Sequence, residues 1–578
     1  MSLAVFLLLS PAAHATAGFD PTTPAARFEG PEVFLQDGSI QLWSAIERLE
    51  DPDRSLFGAG TYNSMTAWPV ESDFSPWIAD CFGTGEPHTS SVLLHMGLHE
   101  ESATGTPILF VPGAGDNGSR GMVTMAAHMD TTGRPAYALT FAHPHGDVFE
   151  QAESIADAIA RIKERTGAAQ VDLVSHSKGG IAAAIYLSNL PGASWSDADY
   201  SAVGTQYQGD VRRAVFIAVP LGGTDTVFRW PLANALLLDA DLSMAPSSWR
   251  TWYPYGASFP TGATDLRAQD HLSSDGDLFP GQRQLVARWD DVYALPGASP
   301  LLGAYALQPD WWTTYEGGLG YQSMSDGIDA AIADGGDVIA SLGRNGVDAD
   351  VELFILAGEN PLLHNGSEYW IDALYGEAFT DMLTASGDAW AALVADLVGE
   401  GLSSVGFTEG EVQGLVQGKL MLGEVSGPSD GLVFLASATQ AGSLTGRGAV
   451  VAETRVVDLA HLDLLYASPI TGQLLIDAAA ADPVEDGWQG PVGERYIAAD
   501  TIGWVEDVLA DAEGGGDTGT SGDTGSGDGG SGDGGVDGED ETVASETSGC
   551  GCGGGGGGSA LLLLGSLGLL GGRRRRAR

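Results

Sequence analysis

The stretch from Val171 to Gly180 constrains the fold of this chain more than any other. It reads Val-Asp-Leu-Val-Ser-His-Ser-Lys-Gly-Gly, an apolar run typical of a buried strand, and it leads through a turn at Ser177 into a helix of small residues. A serine on such a strand-to-helix turn is exposed at the top of the strand, and the start of the helix directs backbone N–H groups at nearby negative charge. We therefore predict that Ser177 is a nucleophile. The alternative is a tight structural turn.

Strands and helices alternate on both sides of this turn. Continuous apolar runs predict strands buried on both faces, at 106–112, 136–142, 214–219 and 351–357. Helices are predicted at 120–129 and 148–165, the second with Ile155, Ile159 and Ile162 at helical spacing. This alternation predicts an α/β fold with a mostly parallel central sheet and helices on both faces.

The loop after the strand at 106–112 is rich in glycine and reads Gly-Ala-Gly-Asp-Asn-Gly from Gly113. When a nucleophilic serine sits on such a turn, one oxyanion N–H comes from this loop and the second from the residue after the nucleophile. We therefore predict the backbone N–H groups of Ala114 and Lys178 as oxyanion donors, with side chains that are free to vary. The loop lacks the Gly-Lys-Ser/Thr ending of a phosphate-binding loop and the glycine spacing of a dinucleotide site, which argues against a bound nucleotide.

A carboxylate and a histidine follow the serine in the order that this arrangement requires. Asp430 lies in a Ser-Asp-Gly turn before an apolar run, and His461 follows a short strand-like stretch at 455–459. Glu359 is the alternative acid because it comes directly after a predicted strand. We favour Asp430, since its motif and its distance along the chain from His461 fit the order better.

Three motifs together carry a resemblance to a known family. Phe-Val-Pro-Gly at 110–113, Ser-His-Ser-Lys-Gly-Gly at 175–180 and Val-Pro-Leu-Gly-Gly-Thr at 219–224 resemble bacterial triacylglycerol lipases of the α/β-hydrolase superfamily. Those lipases usually carry His-Gly where this chain has Pro112-Gly113, and Gly or Ala where it has Ser175. The resemblance spans about residues 106–470. It implies an α/β-hydrolase fold and ester cleavage by a triad of Ser177, Asp430 and His461.

The resemblance also implies a substrate class and bears on cofactors. It predicts a lipid or other carboxylic ester as substrate and no required cofactor. Asp463 matches a calcium ligand in one branch of these lipases, so a structural Ca²⁺ is a further expectation. The same triad would also serve a phospholipase, a polyester depolymerase, an acyltransferase or a peptidase, and a catalytically dead surface binding protein is the non-enzyme alternative.

Charge and the chain termini predict an exported protein. Against 77 Asp and Glu the chain has only 26 Lys and Arg, and a net charge of −51 argues against nucleic-acid binding. The three cysteines provide no disulfide framework. An apolar run followed by small residues predicts a signal peptide at 1–17, with a buried N-terminal strand as the alternative.

The C-terminal end carries Cys550 and Cys552, a glycine run, an apolar stretch at 560–570 and four arginines from Arg573. This order resembles the C-terminal sorting signals of myxobacterial surface proteins. It implies that membrane or cell-surface sorting machinery recognises the tail and that the protein is anchored at the cell surface or outer membrane, or secreted after processing. An ordinary C-terminal membrane helix is the alternative.

The predicted organisation follows from these segments. After the signal peptide come an N-terminal extension packed on the catalytic domain (18–105), the α/β-hydrolase domain (106–510), a disordered Gly/Asp-rich linker (511–549) and the sorting or membrane segment (550–578). The catalytic domain holds an aromatic-rich insertion at 225–345, either a lid or a cap with its own core, and a helical insertion at 368–422.

Overall fold

A computed structural model provides the coordinates. It describes residues 20–30, 33–35, 38–40, 43–52, 54, 76–85, 87–188, 207–229, 272–273, 276–277, 280–293, 295, 315, 318–319, 324–325, 328–363, 427–466 and 500–510. All of these belong to one compact unit, Met1–Gly514, while the second unit, Gly515–Arg578, lies outside the described residues. The predicted signal peptide, the helical insertion at 368–422, the linker and the C-terminal segment also fall outside them.

The described residues form a central sheet of nine strands. In chain order these are β1 (Ala26–Glu29), β2 (Trp43–Leu49), β3 (Val92–Gly97), β4 (Ile108–Val111), β5 (Ala136–Phe141), β6 (Val171–His176), β7 (Val211–Ile217), β8 (Glu352–Gly358) and β9 (Val450–Val457). Their order across the sheet is β1-β2-β3-β5-β4-β6-β7-β8-β9. Separate two-stranded ribbons pair Val33–Leu35 with Gly38–Ile40, Leu272–Ser273 with Gly276–Asp277, and Gly318–Leu319 with Met324–Ser325.

The sheet is parallel from β5 to β9 and antiparallel where β1, β2 and β3 join it. Its order reverses at β5 and β4, so the chain winds in both directions from the middle of the sheet. The predicted α/β fold with a mostly parallel sheet is confirmed.

Helices cover both faces of this sheet. The described ones are α1 (Pro76–Phe82), α2 (Val123–Thr131), α3 (Val148–Thr166), α4 (Lys178–Ser188), α5 (Thr226–Arg229), α6 (Pro280–Gln284), α7 (Ile328–Asp334), α8 (Val338–Asn345), α9 (Leu435–Ala438), α10 (Gly442–Thr445), α11 (Asp463–Tyr466) and α12 (Thr501–Leu509). No helix in the described part of the chain is long and apolar enough to cross a membrane.

The two faces carry separate apolar cores because side chains alternate along each strand. On β4, Leu109 and Val111 pack with α3, α4 and α8, whereas Ile108 and Phe110 pack with α2, α11 and α12. Both sets are fully buried, which explains why this strand is a continuous apolar run in the sequence.

The longest described helix, α3, has clear signals at both ends. The Asp147 carboxylate accepts hydrogen bonds from the N–H groups of Phe149 and Glu150, which caps the first turn. Gly167 ends the helix with a φ of 70°, a left-handed conformation that glycine adopts without steric cost. These signals fix where α3 begins, beside the loop at 143–147 that supports the candidate site.

The segment predicted as an extension packed on the catalytic domain instead supplies β1, β2 and β3 to the central sheet. Its strand β2 was not recognised because it carries the charged residues Glu47 and Arg48 among its apolar ones. Glu47 is buried and forms ion pairs with Arg27 and Arg161, at 2.9 and 2.6 Å. The paired charges allow a polar residue to occupy a buried strand position.

Candidate active site

The predicted nucleophile lies where the sequence motif requires it. Ser177 follows β6 directly and precedes the first residue of α4, and its φ is 50°. A positive φ is uncommon for a residue other than glycine, and such strain is concentrated at functional sites. The Ser177 N–H donates to the carbonyl of Ile217 at the end of β7, at 2.9 Å, which holds the turn against the neighbouring strand. Ser177 is partly exposed, whereas its neighbours on both sides are buried.

The two glycines after Lys178 are required by close approach of the backbone. A Cβ on Gly179 would lie 2.2 Å from the carbonyl oxygen of Pro112, and one on Gly180 would lie 2.1 Å from a methyl group of Val219. Real Cβ contacts are not this short, so α4 can pass this close to the ends of β4 and β7 only with glycine at both positions.

The glycine-rich loop after β4 lies against the turn that carries Ser177. The parallel pairing of β4 with β6 ends with Val111 opposite Ser175, so both strands end side by side. A Cβ on Gly113 would lie 3.0 Å from the Cβ of Ser177. The structure therefore brings the loop with Ala114 beside the predicted nucleophile, as the oxyanion prediction requires.

Both predicted oxyanion donors are available as backbone groups. No hydrogen bond from the N–H of Ala114 or of Lys178 to another described residue is present. Lys178 is the first residue of α4, where an N–H has no acceptor within the helix. The loop is fixed by Asp116, whose Oδ1 accepts hydrogen bonds from the N–H groups of Asn117 and Gly121 at 2.8 and 3.0 Å.

Asp430 and His461 form a buried pair. The Nδ1 atom of His461 is 2.7 Å from Oδ2 of Asp430, and the His461 N–H donates to the Asp430 carbonyl at 2.9 Å. The other carboxylate oxygen of Asp430 accepts from the N–H groups of Leu432 and Val433 at 3.0 and 2.8 Å. A carboxylate that accepts a hydrogen bond from Nδ1 fixes the proton on that ring nitrogen. The Nε2 atom of His461 is thereby left as the proton acceptor.

His176 connects this pair to the nucleophile turn. Its ring lies 4.7 Å from the ring of His461, and its Nε2 atom is 3.3 Å from the His461 carbonyl oxygen. Burial lowers the pKa of His176 well below its usual 6.5, and the neighbouring His461 lowers it further. His176 is therefore neutral at ordinary pH. Consecutive Cα atoms are about 3.8 Å apart, so the contact of His176 with His461 places the turn that carries Ser177 next to the loop that carries His461.

Glu359, the alternative acid, is placed differently. Its side chain is exposed, and its backbone N–H donates to the carbonyl of Val457 at 3.0 Å. The preceding residue, Gly358, packs under the loops that carry Asp430 and His461, because a Cβ there would lie 2.2 Å from the Leu459 carbonyl oxygen and 2.9 Å from the Cβ of Asp430. Strand β8 thus supports the acid and histidine loops with its last residue, while the hydrogen bond to His461 comes from Asp430.

The predicted calcium ligand, Asp463, is buried at the start of α11, and its Oδ2 atom accepts a hydrogen bond from the Ala460 N–H at 3.2 Å. In the described parts of the chain, no group of three or more His, Cys, Asp or Glu side chains is arranged to hold a metal ion. A calcium site at Asp463 stays a prediction.

The side chain of Lys178, which is predicted to be free to vary, has a specific partner inside the protein. It is completely buried, and its Nζ atom donates a hydrogen bond to Oε1 of Gln151 on α3. Burial lowers the pKa of Lys178 from 10.5 to about 7, and the nearby Asp147 opposes this shift. The sequence offers one hint of this buried position, because a long charged side chain stands where only a backbone N–H is needed. Its partners could not be predicted, since they are distant in the sequence.

Comparisons with known proteins leave the family open. No protein-family profile matches the sequence, and no curated protein matches it significantly. Among solved structures, a gene product of Listeria innocua is 12% identical, with 66% of this chain and 95% of that chain covered and a TM-score of 0.26. The mature lipase BlEst2 of Bacillus licheniformis is 14% identical, with 65% and 91% covered and a TM-score of 0.25.

The siderophore hydrolase EstB of Aspergillus fumigatus is also 14% identical, with 51% of this chain and 82% of that chain covered and a TM-score of 0.25. Likenesses of this strength do not establish an activity. The chemistry of the site rests on the geometry around Ser177.

Proposed function

We propose that the protein is an exported serine hydrolase that cleaves carboxylic esters, with acylglycerols as its main substrates. One observation carries the proposal. Ser177 occupies a strained turn, and the residue before it contacts the His461 of a buried Asp430–His461 pair. The proposed reaction requires a nucleophile, a base and an orienting acid in this order, and these contacts support that assignment.

In the first half of the reaction, His461 Nε2 takes the hydroxyl proton of Ser177 while the serine oxygen attacks the ester carbonyl. The resulting oxyanion is bound by the backbone N–H groups of Ala114 and Lys178, each worth about 3 kcal/mol. The imidazolium of His461, stabilised by Asp430, then gives its proton to the departing alcohol, and an acyl-enzyme remains on Ser177.

In the second half, His461 removes a proton from a water molecule that attacks the acyl-enzyme. The same two N–H groups bind the second oxyanion. Collapse of this intermediate releases the carboxylic acid, and the proton on His461 returns to Ser177. The cycle needs no group besides those of the chain and water.

Ser177→Ala is the decisive substitution for this proposal. It should abolish turnover of p-nitrophenyl acyl esters, while circular dichroism shows a folded protein. Ser175→Ala is the matched control. Ser175 lies two residues before Ser177, is buried, and donates its hydroxyl hydrogen bond to the Val215 carbonyl at 3.2 Å. The control should keep most of the activity. Full turnover by Ser177→Ala would refute the proposal.

Acylglycerols are proposed because an aromatic group from the insertion adjoins the acid loop. Tyr293 stacks on Phe434 with ring centres 4.2 Å apart, and Trp289 lies 5.9 Å from the same ring. The Nε1 atom of Trp289 donates to the Gly222 carbonyl at 3.1 Å, which ties the insertion to the loop after β7. Trp289 and Phe434 are buried, whereas Tyr293 is the partly exposed member of this group and would contact an acyl chain.

A substrate panel separates this class from the other acyl hydrolases. Rates should be measured for p-nitrophenyl esters of increasing acyl length, for triacylglycerols and for phospholipids, below and above the concentration at which each substrate aggregates. Preference for triacylglycerol supports a lipase, whereas a preference for phospholipid would assign the same triad to a different substrate.

Export and surface attachment are part of the proposal and rest on the sequence of both termini. Full-length protein in its own host should be found at the cell surface, where added protease removes it from intact cells. Removal of residues 550–578 should release active enzyme into the medium. Retention of the shortened protein inside the cell would contradict the proposed role of this segment.

A further inference from the structure

The most unusual group near the candidate active site is the buried side chain of Lys178. Lysine is almost never fully buried without a partner of opposite charge, because removing the ammonium from water costs several kcal/mol. The proposed mechanism uses only the backbone N–H of this residue. A costly side chain beside the nucleophile therefore calls for a second role.

The Lys178 side chain reaches the loop between β5 and α3. Its Nζ atom donates to Oε1 of Gln151, and the Nε2 atom of Gln151 donates to the His143 carbonyl at 3.0 Å. Lys178 is thus linked, through one glutamine, to the segment from His143 to Asp147, which we call the support loop.

The support loop also touches the second oxyanion element. A Cβ on Gly115, the residue after Ala114, would lie 3.3 Å from Cε1 of His145. Burial lowers the pKa of His145 well below 6.5, with smaller effects of His143, Lys178 and Arg120 in the same direction, so this ring is neutral. One loop therefore contacts the neighbour of one predicted donor and, through Gln151, the side chain of the other.

A short piece of the aromatic-rich insertion holds the support loop in place. The Gly281 N–H donates to the His145 carbonyl at 3.2 Å, and the side chain of Gln282 is hydrogen-bonded to Nδ1 of His145. Gln284 accepts from the Val148 N–H at 2.9 Å and donates to Oδ2 of Asp147 at 2.5 Å.

Gly281 also closes over Lys178. A Cβ on Gly281 would lie 2.1 Å from Cε of Lys178 and 2.2 Å from the Gly146 carbonyl oxygen. Only glycine fits between the lysine stem and the support loop. The described segment 280–284 is therefore packed tightly against the side of the site that holds the predicted oxyanion donors. In this structure it is part of the packed protein and not a detached flap.

We propose that the Lys178 side chain, together with the insertion segment 280–284, positions the two oxyanion donors relative to each other through the support loop. This inference rests on the proposed function, because it assigns Lys178 and the insertion a part in the same acyl transfer. Lys178 here is a positioning residue through its side chain, and it contacts the oxyanion only through its backbone.

The test compares Lys178→Met with the wild type in the full-length protein, using a soluble short-chain p-nitrophenyl ester. Methionine fills similar space without the donor. Removing one oxyanion donor costs roughly 100- to 1,000-fold in kcat, so a displaced donor should cost roughly 10- to 100-fold with KM changed less than threefold. The affinity for a trifluoromethyl ketone, which forms a tetrahedral oxyanion adduct, should fall by the same factor. An unchanged kcat, or a lower kcat with unchanged ketone affinity, would overturn the proposal.

Two further variants test whether Lys178 acts on the support loop through Gln151. Gln151→Met should lower kcat similarly, and the double variant Lys178→Met/Gln151→Met should be no worse than either single one, because both break the same link. Additive losses would overturn the path through Gln151.

Gly281→Ala should also lower kcat, whereas Gly442→Ala, where a Cβ meets nothing within 4 Å, should not. Equal activity of the two alanine variants would overturn the proposed role of segment 280–284 in positioning the donors. Inactive Ser177→Ala beside fully active Lys178→Met would overturn this inference alone, whereas active Ser177→Ala would overturn the proposed function itself.

Discussion

Replacing Lys178 by methionine should make the protein more stable at neutral and acidic pH. Burial lowers the pKa of Lys178 from 10.5 to about 7, so folding disfavours the charged form. Each pKa unit corresponds to about 1.4 kcal/mol, which gives a cost of about 5 kcal/mol below pH 7. Methionine removes this cost but leaves Oε1 of Gln151 without its donor, a loss of about 1 to 3 kcal/mol. The net gain should be about 2 to 4 kcal/mol at pH 6.

The dependence on pH has a definite sign. Between pH 7 and 10.5 the unfolded chain binds the Lys178 proton and the folded protein does not, so the stability of the wild type rises with pH in this window. The advantage of the methionine variant should therefore shrink by about 3 kcal/mol from pH 6 to pH 9.

Urea unfolding of both proteins at pH 6 and pH 9 measures this difference directly. Lys163→Met is the matched control, because Lys163 is partly exposed and pairs with Asp210 at 3.1 Å. Its effect should stay within about 1 kcal/mol at both pH values. A stability difference between wild type and Lys178→Met that is the same at pH 6 and pH 9 would refute the reasoning.

Three other predictions concern the proposed triad, the turn at Ser177 and the central sheet. Asp430→Asn should lower kcat by about 10,000-fold because the wrong tautomer of the proposed base, His461, is favoured, whereas Glu359→Gln should leave kcat within about twofold; equal losses in the ester assay would contradict the choice of acid. Gly179→Ala should destabilise the fold by several kcal/mol in thermal unfolding, since its Cβ would overlap a carbonyl oxygen at 2.2 Å, while Gly442→Ala should change little. Asp172→Asn should cost about 3 to 5 kcal/mol, because the buried carboxylate pairs with two arginines that would lose their anionic partner; an unchanged midpoint of urea unfolding would argue against this network.

Much of the sheet was predictable because its inner strands are buried on both faces. The apolar runs at 106–112, 136–142 and 351–357 correspond to β4, β5 and β8. Strand β9 was located only at its end, since it is an edge strand whose residues are mostly exposed and whose apolar run is interrupted by Glu453, Thr454 and Arg455.

Only those site residues that follow a known motif order along the chain could be predicted from the sequence. Chain order pointed to Asp430 and His461, and the structure brings the two within hydrogen-bonding distance. The catalytic role of each residue stays a prediction until it is tested. The part played by Lys178, Gln151 and Gly281 could not be seen in the sequence, since it depends on contacts between segments that are far apart along the chain.

Covalent labelling tests the central claim most directly. The wild type should be incubated with a fluorophosphonate and digested, and the modified peptide identified by mass spectrometry. The account predicts a single stoichiometric adduct on Ser177 and, because the base is lost, much slower labelling of a His461→Ala variant. An unlabelled protein, or an adduct on a different serine, would contradict it.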